Sequence, residues 1–577
     1  AEELPGTVLA MLQARLLRLD PRARRVLAAA SVFGERFWRG GLLALLGPGP
    51  AAWPETVSVP VPVPVPVPVE DGRMEMERGL LLLVAAETIA RQAESRFPGE
   101  PQYTFRHALV REAAYGLLSE AERRAGHRAA GQYLERMGEP EPMVLAEHYL
   151  HGGELERAAR FFARAAVELM EGSDLAGALR CVERGIGCGA TGEVLGTLHA
   201  VAALAHLWGL NFPAAYEKAH QALPLLTPGC AAWYRAIGAV ITLAGPLGQH
   251  ESMLPHAHLL LETAPLAGAE AVLLEQSFLT MSMLATQGHL AVARALLGRM
   301  QEICARLGEN EVRARGLMHV ANAMYVLLIE GAPGRYYTES VAAASCFTEV
   351  GDWRYQVISE MHVGLALGLL GELAAGVGRL QAALSLCRKL GETMLEDALA
   401  SHLALLLFEM GEPEPQKSAV VLAEHVVATS PVINFWTGIS SCTLALARAA
   451  RGEFAEAEAL VRKPLSIVEA LGPLATATLG RILAAQGKLQ EARAAVDVGL
   501  ERLAGRSGKG FMDVRLHLVA AELRHAMGEG AAARESLARA TAIIEEHAAG
   551  MADEAMRARY RADVADNARA FELRRLW

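Results

Sequence analysis

A signature recurs down this 577-residue chain at a near-constant interval: Gly, a polar or small residue, an apolar residue, then one or more alanines. It reads Gly153-Glu154-Leu155-Glu156-Arg157-Ala158, Gly288-His289-Leu290-Ala291-Val292-Ala293, Gly371-Glu372-Leu373-Ala374-Ala375, Gly452-Glu453-Phe454-Ala455-Glu456-Ala457 and Gly487-Lys488-Leu489-Gln490-Glu491-Ala492. Weaker copies start at Gly209, Gly248, Gly331, Gly411 and Gly528, and from Gly209 the steps are 39, 40, 43, 40, 40, 41, 35 and 41 residues. A period of this size marks a stacked array of supersecondary units. The glycine belongs in a turn, and the alanines let one helix press on the next, so each repeat is predicted to be an antiparallel helix pair. Each pair leaves an apolar face that only its neighbour can cover, and such arrays present concave binding surfaces.

The composition agrees. The chain is 52% hydrophobic but only 6% aromatic, which suits helices packed through small residues. Its net charge is −10 with no basic face, so nucleic acid is not expected as a partner. The seven cysteines are scattered without a C-x-x-C pair, which reads as reduced thiols in a cytoplasmic protein. No apolar run reaches the length of a membrane span. Because the first residue is Ala1 and a helical pattern starts at once, the chain is expected to be a piece of something longer.

Ahead of the array, residues 4–46 read as helices. Leu9, Leu12, Leu16, Leu17 and Leu19 form a stripe, Asp20-Pro21 caps a second helix, and Gly40-Gly41 reads as a break before the third. Residues 57–69 alternate Val and Pro, which excludes helix and central strand and predicts an extended loop. Thr88–Ala93 and Gln102–Phe105 look like a hairpin, followed by helices over 107–118 and 120–137. The pattern suggests a winged-helix-like domain over 1–140, the repeat array over 141–550, and capping helices over 551–577, where the signature stops. The fold class expected is an all-α, tetratricopeptide-like, right-handed solenoid. An extra Gly172-Ser173-Asp174-Leu175-Ala176-Gly177-Ala178 predicts one more helix pair.

Residues 94–118 (Glu-Ser-Arg-Phe-Pro-Gly-Glu-Pro-Gln-Tyr-Thr-Phe-Arg-His-Ala-Leu-Val-Arg-Glu-Ala-Ala-Tyr-Gly-Leu-Leu) resemble the wing and following helix of a known group. Residues 143–163 resemble its first repeat, and Leu4-Pro5-Gly6-Thr7 and 565–573 also fit. The group is the bacterial signal-transduction ATPases with numerous domains. More narrowly, the chain is similar to large serine/threonine protein kinases built as kinase, AAA-type ATPase, winged helix and tetratricopeptide-like array. The resemblance implies that the kinase and ATPase lie before Ala1. It also implies that His107, with Arg106 beside it, is a nucleotide-sensing residue in the parent, although the motif's Asp is Ala108 here.

No catalytic constellation is legible. A phosphate-binding loop needs G-x-x-x-x-G-K-S/T, and the nearest string, Gly505–Gly510, departs from it at Leu503 and Gly510. His148 and His151 are spaced for a metal but lack a third ligand, and His250, His256 and His258 flank a turn; both groups read as solvated side chains, and no metal or cofactor is expected. The few array aromatics are candidate groove anchors, chiefly Tyr336, Tyr337, Trp353, Phe435 and Trp436. The chain therefore reads as a non-catalytic sensor and interaction arm. Its expected partner is a protein or peptide in the concave groove, or the upstream ATPase and kinase domains of the same parent, and no membrane. The alternative is a small-molecule sensor like the maltose-regulon activator, which calls for a closed pocket of converging polar groups.

Overall fold

The signature glycine sits where each helix pair reverses. In the computed structural model of the chain, Gly153, Gly288, Gly371, Gly411, Gly452, Gly487 and Gly528 all have φ between 70° and 90°. The last alanine of the signature is then fully buried in the following helix, as at Ala158, Ala293, Ala457 and Ala492. In the Gly371 copy that place belongs to Gly376, where a Cβ would come 2.6 Å from the Gly364 carbonyl oxygen. The copy at Gly209 departs from the pattern: the left-handed residue is Leu210, one position later, at φ 59°.

The structure describes residues 6–47, 69–308, 310–430, 432–506, 510 and 512–577. Residues 57–68 of the valine–proline run, Leu4-Pro5, and residues 507–509 of the Gly505–Gly510 loop lie outside the described residues. The described residues hold 29 α-helices and one three-stranded sheet, and the fold is an all-α, tetratricopeptide-like solenoid. The chain divides into two compact units, Ala1–Leu198 and His199–Trp577.

In the first unit, Asp20 caps the helix Pro21–Ser31 by accepting a hydrogen bond from the Arg22 amide. Ser119 and Glu122 form a capping box at the start of Glu120–Arg136. Of the leucine stripe, Leu16 is buried, and Leu12 and Leu19 pack on the same core. Leu17 is instead exposed. Gly40 and Gly41 do not break the chain but lie inside the helix Arg39–Leu46. Gly41 is needed there because a Cβ would fall 2.6 Å from the Phe33 ring. The expected hairpin is present as β2 (Ile89–Arg91) and β3 (Gln102–Phe105). A third strand, β1 (Arg36–Trp38), pairs antiparallel with β3 and gives the order β1-β3-β2. The segment after Gly172 yields one helix, Leu175–Gly187, packed against Leu155–Glu171, rather than a separate pair.

In the second unit each signature marks one helix pair, and two departures from the period have local causes. The 43-residue step contains a π-helical turn, Val326–Glu330, closed by a bond from the Gly331 amide to the Val326 carbonyl at 2.7 Å. The 35-residue step uses short helices, Phe454–Leu465 of 12 residues and Gly472–Ala485 of 14. At the chain end, Glu554–Ala562 and Ala565–Leu576 fold back onto earlier repeats. Buried Arg515 pairs with Asp566 and, at 2.8 Å, with Glu409, while Arg481 reaches Asp566 at 3.1 Å and Arg559 reaches Glu372 at 2.8 Å. Burial raises the Asp566 pKa, but Arg515 and Arg481 outweigh it and hold the carboxyl below its usual range.

Removing Asp566 leaves a buried guanidinium short of charge. Asp566→Ala is expected to lower unfolding free energy by about 3 kcal/mol in urea titrations. Gly411→Ala places a Cβ in open space at φ 76°, so only the left-handed backbone resists it, at about 1 kcal/mol. Gly376→Ala, at a helical position where alanine is intrinsically favoured, is expected to cost more than Gly411→Ala because its Cβ meets backbone.

Candidate functional site

The second unit encloses an apolar cavity of about 140 Å³. Its wall is built from the first turns and inner faces of successive pairs. Asn434 accepts from the Thr437 amide at 3.0 Å and Thr437 Oγ1 accepts from the Asn434 amide at 2.7 Å, which fixes the start of the helix Phe435–Ala450. Phe435 and Trp436 thereby stand at its first turn, and both line the cavity. Trp208 lines it as well and is backed by the Arg354 guanidinium, 4.6 Å from its ring. Arg354 is itself held by buried Glu392 at 2.8 Å. Met283, Met324, Met361 and Met394 supply much of the remaining surface, with unbranched side chains that adapt to a guest. No Asp, Glu, Lys or Arg occurs among the described lining residues.

Two histidines supply the strongest polarity. His362, in the helix Trp353–Leu369, and His402, in Thr393–Glu409, are both buried and both line the cavity. His362 Nδ1 lies 2.8 Å from Tyr336 Oη, and His402 Nδ1 lies 2.7 Å from the Ala398 carbonyl. Burial, with a lesser effect of His402, pulls His362 down to about 3; burial pulls His402 down to about 4 against the Ala398 carbonyl. Both rings are neutral at physiological pH.

Of the expected anchors, then, Phe435 and Trp436 meet at one site. Tyr336 is fully buried and reaches the cavity only through His362, because its hydroxyl finds its partner inward. Tyr337 packs against Leu370, Met551 and their neighbours, and Trp353 opens its helix beside Arg354. Sequence reading missed His362 and His402. Each stands nine residues ahead of its repeat's turn glycine, Gly371 and Gly411, and a polar residue repeated in that register was the available signal.

The first unit holds a different cavity, about 380 Å³, beside Arg111, Tyr115 and Glu147. His148 does not face solvent: its Nδ1 is 3.1 Å from that of His127, whose Nε2 is 2.9 Å from Tyr115 Oη. His151 is exposed. No cluster able to hold a metal is present among the described residues. His256 and His258 bond carbonyls of their own helix, at Ser252 and Leu254. Arg106 and His107 are exposed, with His107 at the N-cap of Ala108–Gly116 and making no side-chain cap bond. The seven cysteines are unpaired, and burial pushes the Cys387 and Cys442 thiols up to about 12, against reactivity. Among the described residues no helix is long and apolar enough to cross a membrane.

No protein-family model and no curated protein matches the chain. Among solved structures it is similar to a signal-transduction ATPase with numerous domains from Pyrococcus horikoshii that carries a tetratricopeptide repeat sensor, at 14% identity and TM-score 0.34. That match covers 94% of this chain, which spans 65% of the other's length. It is also similar to a Rap protein complexed with Competence and Sporulation Factor, at 11% identity, TM-score 0.39, and 68% and 98% of the two chains. Yeast Tom70 matches at 11% identity and TM-score 0.27, over 72% and 96%. Likenesses this weak say nothing of what this chain binds.

The histidine pair in the first unit sets an acid limit. Burial, then the charges of His148, His151 and Arg123, pull His127 down to about 3; burial and His151 bring His148 to about 4, with Glu147 opposing. Both native values lie below the unfolded value of about 6.5, so as pH falls through 6.5 the unfolded chain takes up protons first. Unfolding midpoints are expected to be level above pH 7 and to fall between pH 6.5 and 4, with a shallower slope in His148→Leu.

Proposed function

We propose that this chain is a non-catalytic sensor and interaction arm. It holds a protein or peptide on the inner face of its second unit and passes that occupancy to a nucleotide module elsewhere in the parent, a cytoplasmic bacterial signalling kinase with an ATPase. The observation that carries the reading is the enclosed apolar cavity flanked by Phe435, Trp436 and Trp208. Large aromatics in a desolvated pocket are what anchor a partner. The helices and three-stranded sheet of the first unit serve as the winged helix of such a parent over 1–140, with the array over 141–550 and a cap over 551–577. Exposed Arg106 and His107, at a helix N-terminus, are free to meet a phosphate there.

Regulation is by population. A ligand acts only through its differential affinity for the released and restrained states, and full switching needs about 10⁴-fold preference. A sugar sensor of the maltose-regulon type is less favoured, because the cavity wall is apolar and uncharged.

The reading is tested by selecting peptides from a random display library on the full chain. Enriched peptides are expected to share one large apolar residue and to lose about thirtyfold or more in affinity against Trp436→Ala. Selected peptides indifferent to both Trp436→Ala and Phe435→Ala would refute the site.

A further inference from the structure

We infer that the cavity of the second unit selects an uncharged, ring-sized apolar group bearing one hydroxyl-like head, read by His362 and His402 together. This rests on the reading that the cavity is the ligand site.

The tautomers are set by the partners. The Ala398 carbonyl can only accept, so His402 Nδ1 at 2.7 Å carries the proton. In the neutral ring, Nε2 is then a bare acceptor. Tyr336 is fully buried, and its hydroxyl has His362 Nδ1 as its hydrogen-bond partner at 2.8 Å. Were Nδ1 the donor, the tyrosine proton would be stranded in the interior, at the cost of an unmade bond. Tyr336 therefore donates, Nδ1 accepts, and Nε2 of His362 carries the hydrogen. Both Nδ1 atoms are taken by the protein, and Nε2 is the ring nitrogen each histidine keeps for a guest. The two neutral imidazoles, one repeat apart on neighbouring helices, offer one donor and one acceptor to the same space.

A single hydroxyl answers both, donating to His402 Nε2 and accepting from His362 Nε2–H. A carboxylate or ammonium finds no counter-charge among the described lining residues and would lose its hydration uncompensated. The volume sets the rest of the group: cavities of about 150 Å³ hold benzene, and this one is about 140 Å³. A phenol ring meets all three requirements. It can come as a free molecule or as a tyrosine side chain.

The test is calorimetric titration of the full chain with p-cresol, toluene, benzoate and N-acetyl-tyrosinamide. p-Cresol is expected to bind about tenfold tighter than toluene or better, against their order of hydrophobicity, and benzoate not at all. His402→Leu should erase the preference while keeping toluene binding. Tyr336→Phe, which frees the His362 tautomer and changes one atom, should reduce it in a protein that still folds. Binding of N-acetyl-tyrosinamide at least as tight as p-cresol assigns the ring to a peptide; its exclusion assigns it to a free molecule, and either supports the inference. Toluene binding as well as p-cresol, or a preference that survives His402→Leu, overturns the inference and leaves the cavity as a ligand site. If no ring compound binds at millimolar concentration, the site itself is refuted.

Discussion

The left-handed turn between the two helices of each pair is the constraint on which the rest depends. A chain reversing direction within two or three residues passes through positive φ, where a side chain costs about 1–2 kcal/mol. Glycine removes that cost, and the buried alanine five residues on sets how closely the next helix can approach. Where two helices cross at Gly364 and Gly376, even an alanine would be too large. Turn and spacing together put equivalent residues of successive repeats on one inner face, so side chains 40 residues apart in sequence can share a cavity.

This constraint also decides what was legible. Turn positions could be read because left-handed backbone has a residue-level signature. The exception at Leu210 shows its limit, since a leucine held in the same conformation leaves no mark. β1 was illegible because three residues carry no periodicity, and it exists only through its pairing with β3. Gly40-Gly41 looked like a break and proved to be a close contact with Phe33, a distinction that only tertiary packing makes.

The site was half legible for a related reason. Aromatic residues announce themselves, and Phe435 and Trp436 do line the cavity. Tyr336 was equally conspicuous, but its hydroxyl turns inward to fix a neighbouring ring. The histidine pair depends on tautomers set by an adjacent hydroxyl and a carbonyl, and neither can be read from spacing. The methionines could be taken for ordinary core until their helices are seen to enclose a space.

The return of the chain end onto earlier repeats changes how such an array comes apart. Stacked repeats with only nearest-neighbour contacts unravel from their ends, each losing order nearly on its own account. Here Arg515 is tied to Glu409, Arg559 to Glu372, and the turn at Gly288 lies against Glu469. Repeats far apart in sequence thus share their fate, and the second unit gains the all-or-none cooperativity of a globular domain. A guest that stiffens one inner helix is then felt by the last one, without any signal having to travel repeat by repeat along the stack.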